Sequence, residues 1–189
     1  MITIVSGIPR SGTSMMMQML KAGGLDPLAD HLRKADDDNP QGYFEFEKVK
    51  RLRQDKSWIS QAEGKVVKVI TQLLPDLPAD RTYKVILMNR DLDEVLASQS
   101  EMLKRRGESG AIAQADELKG AFRKHIEQMR TWLKQCRHFE VLEIHYADTV
   151  KDPRPQAEAI ARFLGVPLNI DAMARSVNRK LYRQVKKDA

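Results

Sequence analysis

The chain opens on a strand, a glycine-bearing loop and a helix in immediate succession. Ile2-Thr3-Ile4-Val5-Ser6 is short, mostly β-branched and has no polar alternation, the pattern of a strand buried on both faces. Gly7-Ile8-Pro9-Arg10-Ser11-Gly12-Thr13-Ser14 follows as a loop, and residues 15–22 read as a helix closed by Gly23 and Gly24. Further strands are predicted at 66–70, 83–89 and 139–145, and helices at 45–62, 92–106, 113–136 and 153–164. Residues 26–42 read as irregular, with a short helix near His31, and Pro75 and Pro78 break the stretch after the second strand. The basic tail reads as helical. Strands separated by helices require crossover connections, hence a parallel sheet covered on both faces. The expectation is one α/β domain over 1–189, three layers deep, with a central parallel sheet. In such a sheet ligands bind beyond the carboxyl ends of the strands. Attention therefore falls on the residues after Ser6, Ile70 and Met88.

Composition excludes several other classes. Apolar residues make up 42% of the 189, and the ten glycines bring the sum close to the roughly 45–50% of ordinary globular proteins. That is too apolar for a disordered chain. One cysteine, Cys136, excludes a disulfide scaffold, and no apolar run is long enough to span a membrane. The first residues show no basic leader or cleavage site, so the cytoplasm is the expected compartment. The net charge of +6 favours an anionic partner. Charge is unevenly spread: seven acids lie between residues 26 and 47, five basic residues between 48 and 56, and six basic residues between 175 and 187. The plain reading of the middle run is a solvated helix face, and of Asp36-Asp37-Asp38 a solvated loop.

The first loop has the chemistry of an anion cradle. Gly7 and Gly12 let the backbone turn tightly so that amide N–H groups converge, and the following helix N-terminus adds partial positive charge. Ser11, Thr13 and Ser14 add hydroxyls. The spacing is similar to the nucleotide P-loop, but Thr13 stands where that loop carries its lysine. The nearest cation is Arg10, three residues earlier. A second element follows the third strand. Arg90 sits at the strand's carboxyl end, and Ser98 lies two helical turns on. An arginine fork with a hydroxyl suits a terminal phosphate. The plainer alternative pairs Arg90 with Asp91 or Asp93.

Taken together, these segments resemble the sulfotransferases. Pro9-Arg10-Ser11-Gly12-Thr13-Ser14 is similar to that family's 5′-phosphosulfate loop, and Arg90 with Ser98 eight residues later is similar to its 3′-phosphate motif, with Leu92 where proline is common. The segment from Lys68 to Pro78 resembles the family stretch that carries a lysine near the transferring sulfuryl group. The stretch from Val141 through Asp152-Pro153 to Val166 resembles its late strand–helix block, a structural element, and Asn39-Pro-Gln-Gly-Tyr-Phe-Glu looks like a segment of small bacterial-type members.

The resemblance implies a P-loop-like sulfotransferase fold and 3′-phosphoadenosine 5′-phosphosulfate (PAPS) as donor. Sulfuryl transfer to a hydroxyl or amine would leave adenosine 3′,5′-bisphosphate. Arg10, Ser11, Gly12, Thr13 and Ser14 would hold the 5′ end, Lys68 the sulfuryl oxygens, and Arg90 and Ser98 the 3′-phosphate. No metal is expected, and neither nucleic acid nor a membrane is an expected partner. The acceptor is a small molecule, glycan or peptide. Ile70 occupies the position where many cytosolic members carry a histidine base. Glu45 is the first choice of base, Glu47 the second and His31 the third. Arg179, Lys180 and Arg183 either close over the nucleotide or form a solvated basic helix, and the family's Arg-Lys-Gly motif is absent. Two other readings stand beside this one: a small P-loop kinase or hydrolase, and a non-catalytic nucleotide-binding relative.

Overall fold

Every residue of β1 (Ile2–Ser6) is buried, because it pairs on both edges and is covered on both faces. The structure is a computed structural model, and it describes all residues except 31, 34, 37, 38, 40, 41, 106, 108–114 and 183–189. Strands β1, β2 (Val66–Lys68), β3 (Tyr83–Asn89) and β4 (Phe139–His145) form a parallel sheet in the order β2-β1-β3-β4. The chain leaves β1 toward one edge and returns from β2 across β1 to β3. The topological switch therefore lies between β1 and β3, and both strands end there in register, with Ser6 opposite Leu87.

The helices are α1 (Thr13–Ala22), α2 (Leu92–Arg105), α3 (Ala115–Gln135), α4 (Tyr146–Lys151), α5 (Pro153–Leu164) and α6 (Ile170–Ser176). Strand alternation sends side chains to two cores. Ile4, Val67, Val85 and Phe139 point to a face covered by α3 and by the segment carrying Leu52, Trp58 and Leu74. Val5, Val66, Ile86 and Ile144 point to the opposite face, covered by α1, α5 and α6 through Met16, Met19, Ile160, Leu164 and Met173. The three-layer α/β expectation is met, and none of the described helices is long and apolar enough to cross a membrane.

Several local expectations need correction. Residues 45–62 are not one helix but two 3₁₀ turns, Glu47–Arg51 and Ile59–Ala62, with a turn between them. The buried positions Val49, Leu52, Trp58, Ile59 and Ala62 have a spacing that imitates an α-helix. Their backbone bonds instead run three residues back, as from Val49 N–H to the Phe46 carbonyl. Between the turns the Asp55 carboxylate accepts the Ser57 N–H at 2.9 Å, competing with any helical ladder. Strand β2 stops at Lys68 rather than residue 70, and Thr71–Asp76 is a 3₁₀ turn containing Pro75. The short helix α4 was not expected. In the described part of the tail, Ile170–Ser176 is helical as α6 and Arg179–Leu181 is a 3₁₀ turn, and residues 183–189 lie outside the described residues. Residue 31, near which a short helix was predicted, lies outside the described residues, as do the ends of the predicted 92–106 and 113–136 helices.

Candidate functional site

A cleft of about 360 Å³ opens beyond the carboxyl ends of β1, β2 and β3. Its size lies within the roughly 300–1,000 Å³ typical of small-molecule sites. Arg10, Gly12, Thr13 and Ser14 line it from the first loop, Lys68 from β2, Arg90 and Ser98 from the end of β3 and from α2, and Glu45 from the 42–46 stretch.

The loop closes tightly on the residues behind it. A Cβ on Gly7 would lie 2.3 Å from Ser11 Oγ and 3.1 Å from the Met88 carbonyl oxygen, so nothing larger than glycine fits unshifted. Gly12 has φ +101°, and a Cβ there would stand 2.4 Å from the Tyr146 ring. Gly12 starts α1 without a side-chain cap, and the first intrahelical bond runs from Met16 N–H to Gly12 C=O. The N–H groups of the first turn therefore face the cleft end with no partner inside the helix. Ser11 does not line the cleft. It is fully buried beneath the loop, and its Oγ, like that of Ser6, has no hydrogen-bond partner among the described residues.

Arg10 joins the loop to the second element. Its backbone is left-handed, with φ +69°, a conformation that costs a non-glycine residue about 1 kcal/mol or more. Arg10 Nε donates to Ser98 Oγ at 2.9 Å, and its carbonyl accepts from Arg90 Nη1 at 3.2 Å. The plainer reading of Arg90 named the wrong acids. Asp91 accepts the Asp93 N–H at the start of α2, and Asp93 pairs with Lys119. Arg90 Nε instead donates to Glu94 Oε2 at 3.0 Å, one helical turn away, and both side chains are under 10% exposed.

Lys68 enters from the β2 end. Its ammonium donates to Ser14 Oγ at 2.9 Å and to the Tyr43 carbonyl. Burial pushes its pKa down from 10.5 to about 8, opposed in part by the Glu45 carboxylate. The Arg33 guanidinium holds Glu45 at 2.9 Å and stacks over the Tyr43 ring, 3.3 Å from its centre. Glu45 is thus a cleft carboxylate with a cationic partner. Glu47 does not reach the cleft: its carboxylate pairs with Lys50 at 2.7 Å in an exposed turn. His31 lies outside the described residues.

The sequence reading missed part of the lining. Tyr146 follows β4 directly, and its ring lies 4.4 Å beneath the Arg90 guanidinium. The resemblance assigns the stretch around it a structural role, although the strand-end rule applies there as well. Glu101, Met102 and Arg105 on α2 and Asn178 and Leu181 near the tail also line the cleft. Of the two readings of the tail, closure over a nucleotide or a solvated basic helix, the structure shows neither for the Arg179 side chain, which is held on the main chain. Its Nε donates to the Val150 carbonyl at 3.1 Å and its Nη2 to the Lys151 carbonyl at 2.7 Å, holding the last carbonyls of α4. Lys180 is exposed, and residue 183 lies outside the described residues. His125 shares a 2.8 Å bond between Nε2 and Thr71 Oγ1, and burial lowers its pKa. Among the described residues no three His, Cys, Asp or Glu side chains form a metal-binding cluster.

The model of the sulfotransferase domain family matches residues 2–189. Among solved structures, the chain is similar to the sulfotransferase domain from the curacin biosynthetic pathway. The TM-score is 0.51 at 16% identity, over 96% of this chain and 88% of that one, a likeness of fold. No curated protein sequence matches the chain.

Proposed function

The chain belongs to the sulfotransferase domain family, and from that premise we propose that it moves a sulfuryl group from PAPS to a hydroxyl or amine acceptor. One observation carries the reading. Arg10 binds Ser98 through Nε and Arg90 through its carbonyl, so two separate anion-binding elements share one cleft. A ligand with anionic groups at both its 5′ and 3′ positions matches such a pair, whereas the phosphates of ATP form a single chain. Thr13 in place of the P-loop lysine also speaks against a kinase.

The residues present fit the donor. The uncapped start of α1 with Thr13 and Ser14 suits the 5′-phosphate. Arg10 supplies charge for the bridging oxygen, Lys68 neutralises the sulfuryl oxygens, and Arg90 with Ser98 reads the 3′-phosphate. The acceptor heteroatom forms a bond to sulfur while the bond from sulfur to the 5′-phosphate oxygen breaks. The bond's electrons leave with adenosine 3′,5′-bisphosphate, and the acceptor proton passes to Glu45. The chain's contribution is position and fixed charge around an in-line displacement. The acceptor is a small molecule, glycan or peptide, and the cytoplasm is the compartment this reading assigns.

The test is thermal stability with adenosine 3′,5′-bisphosphate and with ATP. At about 100 times its dissociation constant a ligand adds roughly 2.7 kcal/mol, which raises Tm by about 5–10 °C for a chain of this size. The bisphosphate is expected to give that rise and ATP much less, with the bisphosphate effect lost in Arg90→Ala. A rise with ATP alone would return the reading to a P-loop kinase.

A further inference from the structure

Tyr182 is the last described residue of the chain, and it ends beside Arg90. Its hydroxyl donates to Glu94 Oε1 at 2.6 Å, while Glu94 Oε2 accepts from Arg90 Nε at 3.0 Å. The two oxygens of one buried carboxylate thus tie the C-terminal segment to the arginine. The Tyr182 ring stands edge-on to Tyr146 at 5.2 Å, and the Arg90 guanidinium lies 5.6 Å from its centre. Burial and the bond to Glu94 push the tyrosine pKa up to about 12, so it remains a donor at neutral pH. Arg179, three residues earlier, anchors the same segment to the end of α4, and between them Leu181 lines the cleft.

We propose that Glu94 and Tyr182 form a latch that couples docking of residues 178–182 to the orientation of Arg90. Tyr182 is then a positioning residue for recognition of a 3′-phosphate, and the inference rests on the reading of Arg90 given above. A guanidinium is planar, and its donors are fixed relative to one another. Glu94 takes the Nε edge and so sets the plane in which the Nη groups lie. The tyrosine hydroxyl in turn fixes the rotation of the carboxylate. Coupling of this kind is reciprocal: an anion on Arg90 stabilises the docked segment, and docking raises affinity for the anion.

The experiment is calorimetric titration of the full chain with adenosine 3′,5′-bisphosphate and with adenosine 5′-monophosphate, in wild type, Tyr182→Phe and Glu94→Gln. Tyr182→Phe keeps the ring against Tyr146 and removes only the hydroxyl. It is expected to weaken bisphosphate binding about five- to tenfold, the size of one ordinary net hydrogen bond, and to leave the monophosphate unchanged. Glu94→Gln places an amide where Arg90 needs an acceptor, or loses the acceptor for Tyr182, and is expected to narrow the preference likewise. Bisphosphate is expected to slow amide exchange at residues 178–182 in wild type and to do so less in Tyr182→Phe. Equal losses for both nucleotides, or a wild-type preference retained in both variants, would overturn the latch. A wild-type chain with no preference for the bisphosphate would overturn the Arg90 reading, and the latch with it.

Discussion

Lys68 sits where function and stability pull in opposite directions. Under the proposed function its charge serves a sulfuryl group, yet burial holds its pKa at about 8 instead of 10.5. Below pH 8 the amine is protonated in both folded and unfolded chains, and the folded state bears the full net cost of the buried charge, about 3 kcal/mol. Between about pH 8 and 10.5 the unfolded chain holds the extra proton, so this residue's contribution to stability rises with pH. Lys68→Met removes the charge but leaves the Tyr43 carbonyl without its donor, a loss of about 1 kcal/mol. The variant is expected to be about 1–2 kcal/mol more stable than wild type at pH 7 and to lose that advantage by pH 10, as measured by urea denaturation. Tyr83 and Tyr182, both raised to about 12, occur in both chains and cancel. A difference that does not vary with pH would mean that Lys68 is not the buried cation described. Glu45 invites a complementary measurement. Glu45→Gln is expected to leave bisphosphate affinity within about twofold and to lower turnover about 10²–10⁴-fold, followed as bisphosphate release with an acceptor found by panel. Unchanged turnover would leave Glu45 only the role of partner to Arg33.

Elements explain which parts of the site were legible in the sequence. Strands β1 and β3 read directly, because a strand buried on both faces must be a nearly continuous apolar run and few other structures produce one. Strand β4, at the sheet edge with Glu140, Glu143 and His145 exposed, carries only Phe139, Val141, Leu142 and Ile144 as its apolar signal. The loop read directly as well, since Gly7 and Gly12 stand where no side chain fits. Arg90 and Ser98 were found by their spacing, but their link through Arg10 joins the ends of two different strands, which no spacing encodes. Residues 45–62 misled because 3₁₀ turns bury every third residue, and over a few turns that period is close to 3.6. The same error moved Glu47 into an imagined helix alongside Glu45. Tyr43 lies in the segment 39–45 that the resemblance picks out, but what it gives Lys68 is a backbone carbonyl, which no side-chain pattern encodes. Glu94 was hidden by two nearer acids, Asp91 and Asp93, and a helix selects the residue four positions on.

The whole molecule stands on one sheet with a core on each face, and the two cores share every strand. Neighbours Ile4 and Val5, Val66 and Val67, and Val85 and Ile86 point to opposite cores, so neither core persists once the sheet is lost. The two tryptophans give a way to test this. Trp58 is fully buried on the α3 face, and Trp132 packs against the same cluster. Tryptophan fluorescence therefore reports on one face only. Ile160 is fully buried on the other face, on α5. Ile160→Ala is expected to cost about 2–5 kcal/mol from lost contacts and the cavity left behind. In a single cooperative transition, fluorescence and far-UV circular dichroism move to the same lower urea midpoint, although the substitution lies across the sheet from both tryptophans. Were the faces to unfold independently, dichroism would show an early loss of helix while the fluorescence midpoint stayed at its wild-type value. Cooperativity bears on the site because its loop belongs to β1 and α1, Arg90 to β3 and Lys68 to β2. A cleft gathered from three strand ends keeps its geometry only while the sheet that spaces them remains intact, so Ile160→Ala should weaken bisphosphate binding only at urea concentrations where the fluorescence also changes.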